Sequence, residues 1–244
     1  MNKVVIILGM HRSGTSSLAG LLQEAGVELG EVAVASPHNL KGNRENSQIM
    51  KLNDGVMNYS GGRWDNPPNR VRWNTSHAEE RDRIVRLLSG NSLWGFKDPR
   101  TLFTLPLWLD RLQNSNTFFF GTFRHPLRVA MSLNTRSSSI SIEDGVKLWI
   151  RYNTKLLDLH REANFSLLNF DDDPEPYLQR FNLSLNALKF RNTVSAQSTN
   201  FFDRGLRHQT SESEADSACR VQADILTNAH EIYRELTQTC EKGA

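Results

Sequence analysis

The residues best suited to chemistry come early. Gly9-Met10-His11-Arg12-Ser13-Gly14-Thr15-Ser16 follows five consecutive apolar residues, Val4 to Leu8, and precedes Leu18, Leu21, Leu22 and Ala25 at helical spacing. Strand, glycine turn and helix form a unit in which backbone amides and a helix N-terminus face an anion. Gly9, Gly14 and Ser16 keep the spacing G-x-x-x-x-G-K-[ST], but Thr15 stands where a nucleoside-triphosphate loop carries lysine. The cradle for a phosphate is kept, and the cation that reaches the β- and γ-phosphates is gone. Arg12 offers a positive charge from a different place in the loop. Taken alone, Gly9 and Gly14 also fit a tight strand-to-helix turn with no ligand.

Two more polar clusters close apolar runs. Leu93 to Phe96 leads into Lys97-Asp98-Pro99-Arg100, and Thr117 to Phe123 leads into Arg124-His125-Pro126. The third strand thus ends in Arg124, not in a carboxylate that would hold Mg²⁺ beside a triphosphate. Ser132 and Arg136 are one helical turn apart and share a face. Asp171-Asp172-Asp173 follows a fourth apolar run, Phe165 to Phe170, and reads as a helix-capping loop, not a metal site.

These clusters need elements that bring them together. The run Val4 to Leu8 predicts a strand covered on both faces, and Gly26 a stop for the first helix. Residues 31–75 are irregular and rich in Gly, Pro and Asn, with a short helix expected over Asn46 to Val56; a segment this long is usually functional. Ser76-His77-Ala78-Glu79 has the form of a capping box, opening a helix that Gly90 closes. Further helices are expected over Leu105 to Leu112, from about Leu127, and along Ile142, Val146, Trp149, Ile150, Asn153, Leu156, Leu157 and His160. Two more helical stretches close the chain, the last from about Glu212 to Cys240. Strands alternating with helices predict an α/β fold: a three-layer, P-loop NTPase-like domain with a mostly parallel central sheet. Ligands of such sheets sit beyond the carboxyl ends of the strands, so the three clusters should meet at one rim. With no repeat and no break in composition, residues 1–244 read as one domain.

The chain's 244 residues carry a net charge of only +2, so bulk charge gives no case for nucleic-acid binding. No apolar stretch reaches membrane length. Cys219 and Cys240 are expected on one long helix as reduced thiols, consistent with a cytoplasmic protein.

Residues 11–16 resemble the 5′-phosphosulfate loop of the sulfotransferases in its R-S-G-T variant. Arg124 to Ser132 resembles their 3′-phosphate motif, in which an Arg ends a strand and a Ser eight positions on lies on the next helix. Lys97-Asp98-Pro99 and Arg136 resemble features of the tyrosylprotein branch, and the best overall likeness is to bacterial sulfotransferases that begin G-M-H-R-S-G-T-S. The likeness covers residues 3–26, 41–65 and 93–170. It implies a donor, 3′-phosphoadenosine 5′-phosphosulfate (PAPS), held by Arg12, Ser13, Gly14, Thr15, Ser16, Arg124, Ser132 and Arg136. It also implies an acceptor hydroxyl, by analogy that of a carbohydrate or glycolipid, and no metal. Arg12 and Lys97 would neutralise the leaving oxygen. Glu45 is the first choice of general base, ahead of Glu31 and His11. Asp98 would brace Lys97 or a neighbouring loop, and Arg100 would meet the donor or an anionic acceptor. Trp94, Trp108 and Trp149 read as core, whereas Trp64 and Trp73 could stack on a sugar. Arg204 and Arg207 are a weaker match to basic residues near the 3′-phosphate. The rival readings are a P-loop nucleotide kinase and a non-catalytic nucleotide-binding protein of the same fold.

Overall fold

The computed structural model describes residues 2–33, 42–113, 115–190, 194, 199, 214 and 217–242. Pro37, Arg204, Arg207 and Glu212 lie outside the described residues. The elements run β1 (Lys3–Leu8), α1 (Thr15–Glu24), α2 (Ser47–Tyr59), α3 (Thr75–Leu88), β2 (Leu93–Lys97) and α4 (Thr101–Leu112). They continue with β3 (Asn116–Phe123), α5 (Pro126–Arg136), α6 (Ile142–Ala163), β4 (Ser166–Asn169), α7 (Pro174–Ala187) and α8 (Ala223–Lys242).

The four strands form a parallel sheet in the order β2-β1-β3-β4. Successive side chains on a strand point to opposite faces, and β1 shows the result directly. Val4, Ile6 and Leu8 enter one apolar cluster, with residues of α2 to α6 and α8. Val5 and Ile7 enter a second cluster, with residues of α1 and α7. An unbroken apolar strand is what a sheet covered on both faces requires. The architecture is therefore the expected α/β one.

Strand order reverses at β1: β2 lies on one side and β3 on the other. Beyond the carboxyl ends of β1 and β3 is the crevice in which open α/β sheets bind ligands. The loop after β1 and Arg124 after β3 both open into it.

Several local expectations change. Helix α3 is capped two residues earlier than read, because the Asn74 side chain accepts from His77 N–H at 3.0 Å and His77 Nδ1 accepts from Asn74 N–H at 3.3 Å. Asn is as good a cap as Ser, and His completes the reciprocal box in place of Glu. The helix gives way at Ser89, before Gly90. The short helix expected over Asn46 to Val56 extends to Tyr59: Asn46 Oδ1 accepts from Gln48 and Ile49 N–H. Ile49, Leu52, Asn53, Val56 and Met57 then form one buried face. Helix α4 starts at Thr101, earlier than Leu105. At the chain end, Cys219 sits in a turn before α8, so the two free cysteines do not share one long helix.

Candidate functional site

The loop after β1 is built around two glycines. Gly14 has φ +83°, and a Cβ there would lie 2.2 Å from the Phe170 ring, so no other residue fits unchanged. A Cβ on Gly9 would lie 2.5 Å from the Thr122 carbonyl oxygen. Thr122 Oγ1 donates to the Ser13 carbonyl at 3.0 Å, latching the loop to β3. Arg12 is itself left-handed, with φ 68°. Left-handed residues alternating with others turn successive amides toward one point, the geometry of an anion nest. Thr15 is buried at the start of α1, so the loop's lysine position faces the protein interior.

The neighbouring strand brings a cation to the start of α1. Lys97, the last residue of β2, is 3% exposed and reaches Ser16 Oγ at 3.4 Å, the Asn43 carbonyl at 3.0 Å and Glu45 Oε1 at 2.7 Å. Ser16 Oγ also donates to the Asn43 carbonyl at 3.1 Å. Glu45, just before the Asn46 cap of α2, therefore meets Lys97 at the start of α1. Glu31, the second choice for a base, is exposed.

Across the loop, Arg12 Nε donates to Ser132 Oγ at 2.7 Å, joining residues 120 apart in sequence. Burial lowers the Arg12 pKa, and Arg136 and Arg124 lower it further. Three guanidinium groups thus crowd one place, an arrangement that an anion would relieve. Arg124 also pairs with Asp171 Oδ1 at 3.4 Å and lies over the Phe170 ring, while Arg128 meets the same carboxylate at 2.8 Å. Asp171 further accepts from His125 N–H at 2.6 Å. The Asp171 to Asp173 run is thus a bracing loop for the Arg124 turn as well as the cap region of α7. Among the described residues no group of His, Cys, Asp and Glu is arranged to hold a metal.

The sequence missed three features. Asp98 braces Arg100 and not Lys97: its Oδ1 accepts from Arg100 N–H at 3.0 Å and from Nη1 at 2.9 Å. Its Oδ2 accepts from Asn53 at 3.1 Å. Asn53 is a buried hub whose Oδ1 accepts from Thr104 and Trp108 as well. Arg100 also meets Asp54; burial opposes its charge, yet Asp98 and Asp54 hold its pKa above the usual arginine value. Finally, His11 packs on Trp64 (4.9 Å between ring centres) and Tyr152 (6.1 Å), although part of the residue stays exposed. Its Nε2 is shut off from solvent without a hydrogen-bond partner among the described residues. Burial, then Arg100, Lys97, Arg136 and Arg12, hold the imidazole well below its usual pKa, so it is neutral at pH 7. No sequence period announces these contacts, because each joins residues from different elements.

Trp94, Trp108 and Trp149 are core residues as expected, and Trp149 Nε1 donates to the Arg124 carbonyl at 2.9 Å. Trp64 and Trp73 are half-buried against the same cluster.

Among solved structures, the chain is similar to the sulfotransferase domain from the Synechococcus PCC 7002 olefin synthase. The TM-score is 0.51 at 19% identity, over 95% of this chain and 94% of that one. The chain shares the α/β fold of that domain. The crystal structure of sulfotransferase STF1 from Mycobacterium tuberculosis H37Rv is a weaker likeness, with TM-score 0.45 and 14% identity over 89% of this chain and 76% of that one. No family model and no curated protein matches the sequence. No helix of the described residues is long and apolar enough to cross a membrane.

Proposed function

We propose that the chain is one catalytic domain that moves a sulfuryl group from PAPS to the hydroxyl of an acceptor, a carbohydrate or glycolipid. The observation that carries this reading is the supply of cations around a phosphate loop without its own lysine. Lys97 comes in from β2 on the 5′ side, and Arg12, Ser132, Arg124 and Arg136 gather on the other. A triphosphate loop places its lysine within the loop and a magnesium carboxylate on a nearby strand; here Arg124 follows the third strand. A sulfotransferase donor carries one phosphate at each end of its nucleoside, which suits two cationic groups set apart.

In this reading the amides of Ser13, Gly14, Thr15 and Ser16 hold the 5′-phosphate at the N-terminus of α1. Arg124, Ser132 and Arg136 hold the 3′-phosphate, where a guanidinium fork matches the oxygens. Glu45 takes the proton from the acceptor hydroxyl. The acceptor oxygen bonds to sulfur as the bond from sulfur to the bridging oxygen breaks, and Lys97 and Arg12 stabilise the charge that grows on that oxygen. 3′,5′-Bisphosphoadenosine leaves. The Lys97–Glu45 pair puts base and cation side by side at Ser16, as a proton removal coupled to charge transfer requires. His11, neutral and packed on Trp64, stays third choice behind Glu45 and the exposed Glu31. The two free thiols fit a cytoplasmic setting.

The test is transfer of ³⁵S from labelled PAPS to a panel of hydroxyl-bearing carbohydrates and lipids. Arg12→Ala should lower turnover by about 10²–10³-fold, the usual cost of losing a preorganised charge donor. Turnover near wild type in that variant would remove the role assigned to Arg12. Full activity in Glu45→Gln would pass the base to another group.

A further inference from the structure

Beside the proposed reaction site lies a groove of about 750 Å³. It is formed by the segment joining α2 to α3, together with Arg151 of α6. Three of its lining residues are Arg70, Arg72 and Arg151, and none is a carboxylate. Arg151 Nη1 donates to Asn66 Oδ1 at 2.9 Å and Nη2 to Asn69 Oδ1 at 3.0 Å, with the Pro67 carbonyl as a further partner. These neutral acceptors fix the guanidinium and leave its charge uncancelled. Arg70 and Arg72 are exposed, and neither guanidinium has a partner among the described residues. Asp65, in the same segment, is already paired with Arg63 at 3.0 Å.

The groove is joined to the reaction site by a tight turn. Arg63 and Asn66 exchange backbone hydrogen bonds of 2.9 and 3.2 Å, which places Trp64 and Asp65 at the tip. Trp64 packs on His11 of the phosphate loop, and its carbonyl accepts from Tyr152 at 2.8 Å. Two residues on, Asn66 lines the groove. A molecule whose hydroxyl reached the space by His11 would pass Trp64 and enter the groove with its next few units.

We propose that this groove holds the non-reacting part of the acceptor, and that the acceptor is an acidic oligosaccharide. The proposal rests on the sulfuryl-transfer reading of the adjacent site. Guanidinium forks pair with carboxylates in two-point geometry, Asn and Ser groups suit sugar hydroxyls, and a tryptophan at the groove's end suits a sugar face. An acidic peptide is disfavoured, because no named strand lies among the groove's lining residues for a peptide to extend.

The experiment is calorimetric titration of wild type and Arg70→Ala/Arg72→Ala with hexagalacturonate, maltohexaose and hexaglutamate. Neither substituted side chain braces the fold, and a melting curve of the double variant checks this. Hexagalacturonate should bind wild type, with affinity falling about tenfold or more in the variant. Maltohexaose and hexaglutamate should bind far less tightly, and affinity for 3′,5′-bisphosphoadenosine should be unchanged. No binding of hexagalacturonate, binding that the variant leaves intact, or equal binding of hexaglutamate would overturn the proposal while leaving the donor site standing. If 3′,5′-bisphosphoadenosine does not bind wild type, the sulfuryl-transfer reading falls, and with it the groove's role in holding an acceptor.

Discussion

At the scale of single residues, the site is a contest between burial and charge. Arg12 is held in a left-handed conformation, costly for a side-chain-bearing residue, and is fastened by one hydrogen bond to Ser132. Ser132→Ala should weaken 3′,5′-bisphosphoadenosine binding by about tenfold, since a hydrogen bond to a charged group is worth roughly 1.5–3 kcal/mol. Binding of 5′-AMP should change less; titration of both ligands checks the difference. His11, His125 and His160 all have pKa values lowered, chiefly by burial. The unfolded chain takes up these protons first as pH falls through the ordinary histidine range near 6.5, so the native state loses stability there. The melting temperature should fall from pH 7.5 to pH 5.5, and His11→Gln should flatten part of that slope. An equal slope in the variant would mean that His11 is not the buried, neutral group described. At this scale the residue types were legible in the sequence but their partners were not. Lys97 and Glu45 are 52 residues apart, and Asp98 turned out to hold Arg100, since only the fold sets which cation a strand-end carboxylate meets.

At the scale of elements, the loop and the caps fix where the charges point. Gly14→Ala must place a Cβ inside the Phe170 ring at a backbone angle that L-residues avoid. It should abolish binding of 3′,5′-bisphosphoadenosine and lower the melting temperature. Phe170→Ala on top would relieve the clash but not the roughly 1–2 kcal/mol of backbone strain, so recovery should be partial. Asn74→Ala should cost about 1 kcal/mol through loss of the α3 cap, measurable by urea unfolding, with donor binding unchanged. The strands and most helices could be read from apolar runs and from period. Cap positions could not: Ser76 and Asn74 both suit a cap, and the choice fell to Asn74 because His77 sits three residues on and returns a bond. The extent of α2 was hidden for another reason. The expected helix already ran through Gly55, and the turn beyond Val56 was hidden because Gly61 and Gly62 follow so closely, yet Met57 extends the buried face and the helix runs on to Tyr59.

At the scale of the whole molecule, one strand order explains the site. Because β2 and β3 flank β1, a lysine at the end of β2 and an arginine just past β3 approach the same loop from opposite sides. The sheet is held by two apolar clusters, and the larger one contains a polar hub at Asn53 that ties α2 to α4 and to Asp98. Asn53→Ala would leave Trp108 Nε1 unpaired in the core, at a cost of about 1–3 kcal/mol, and Thr104 with only its bond to the Arg100 carbonyl at 3.4 Å. Unfolding at lower denaturant, together with weaker ordering of Arg100, is the expected result. The alternation of strands and helices made the architecture legible, and the convergence of the three strand-end clusters followed from it. The arginine-lined groove was not legible, since it depends on how the segment joining α2 to α3 folds against α6.

The most direct test of the central claim is calorimetric titration of the protein with 3′,5′-bisphosphoadenosine, 5′-AMP and ATP–Mg²⁺, repeated on Arg124→Ala. The bisphosphate should bind far more tightly than 5′-AMP in wild type, and Arg124→Ala should erase most of that preference. Tighter binding of ATP–Mg²⁺, or a preference untouched by the substitution, would contradict a donor site of the sulfotransferase kind.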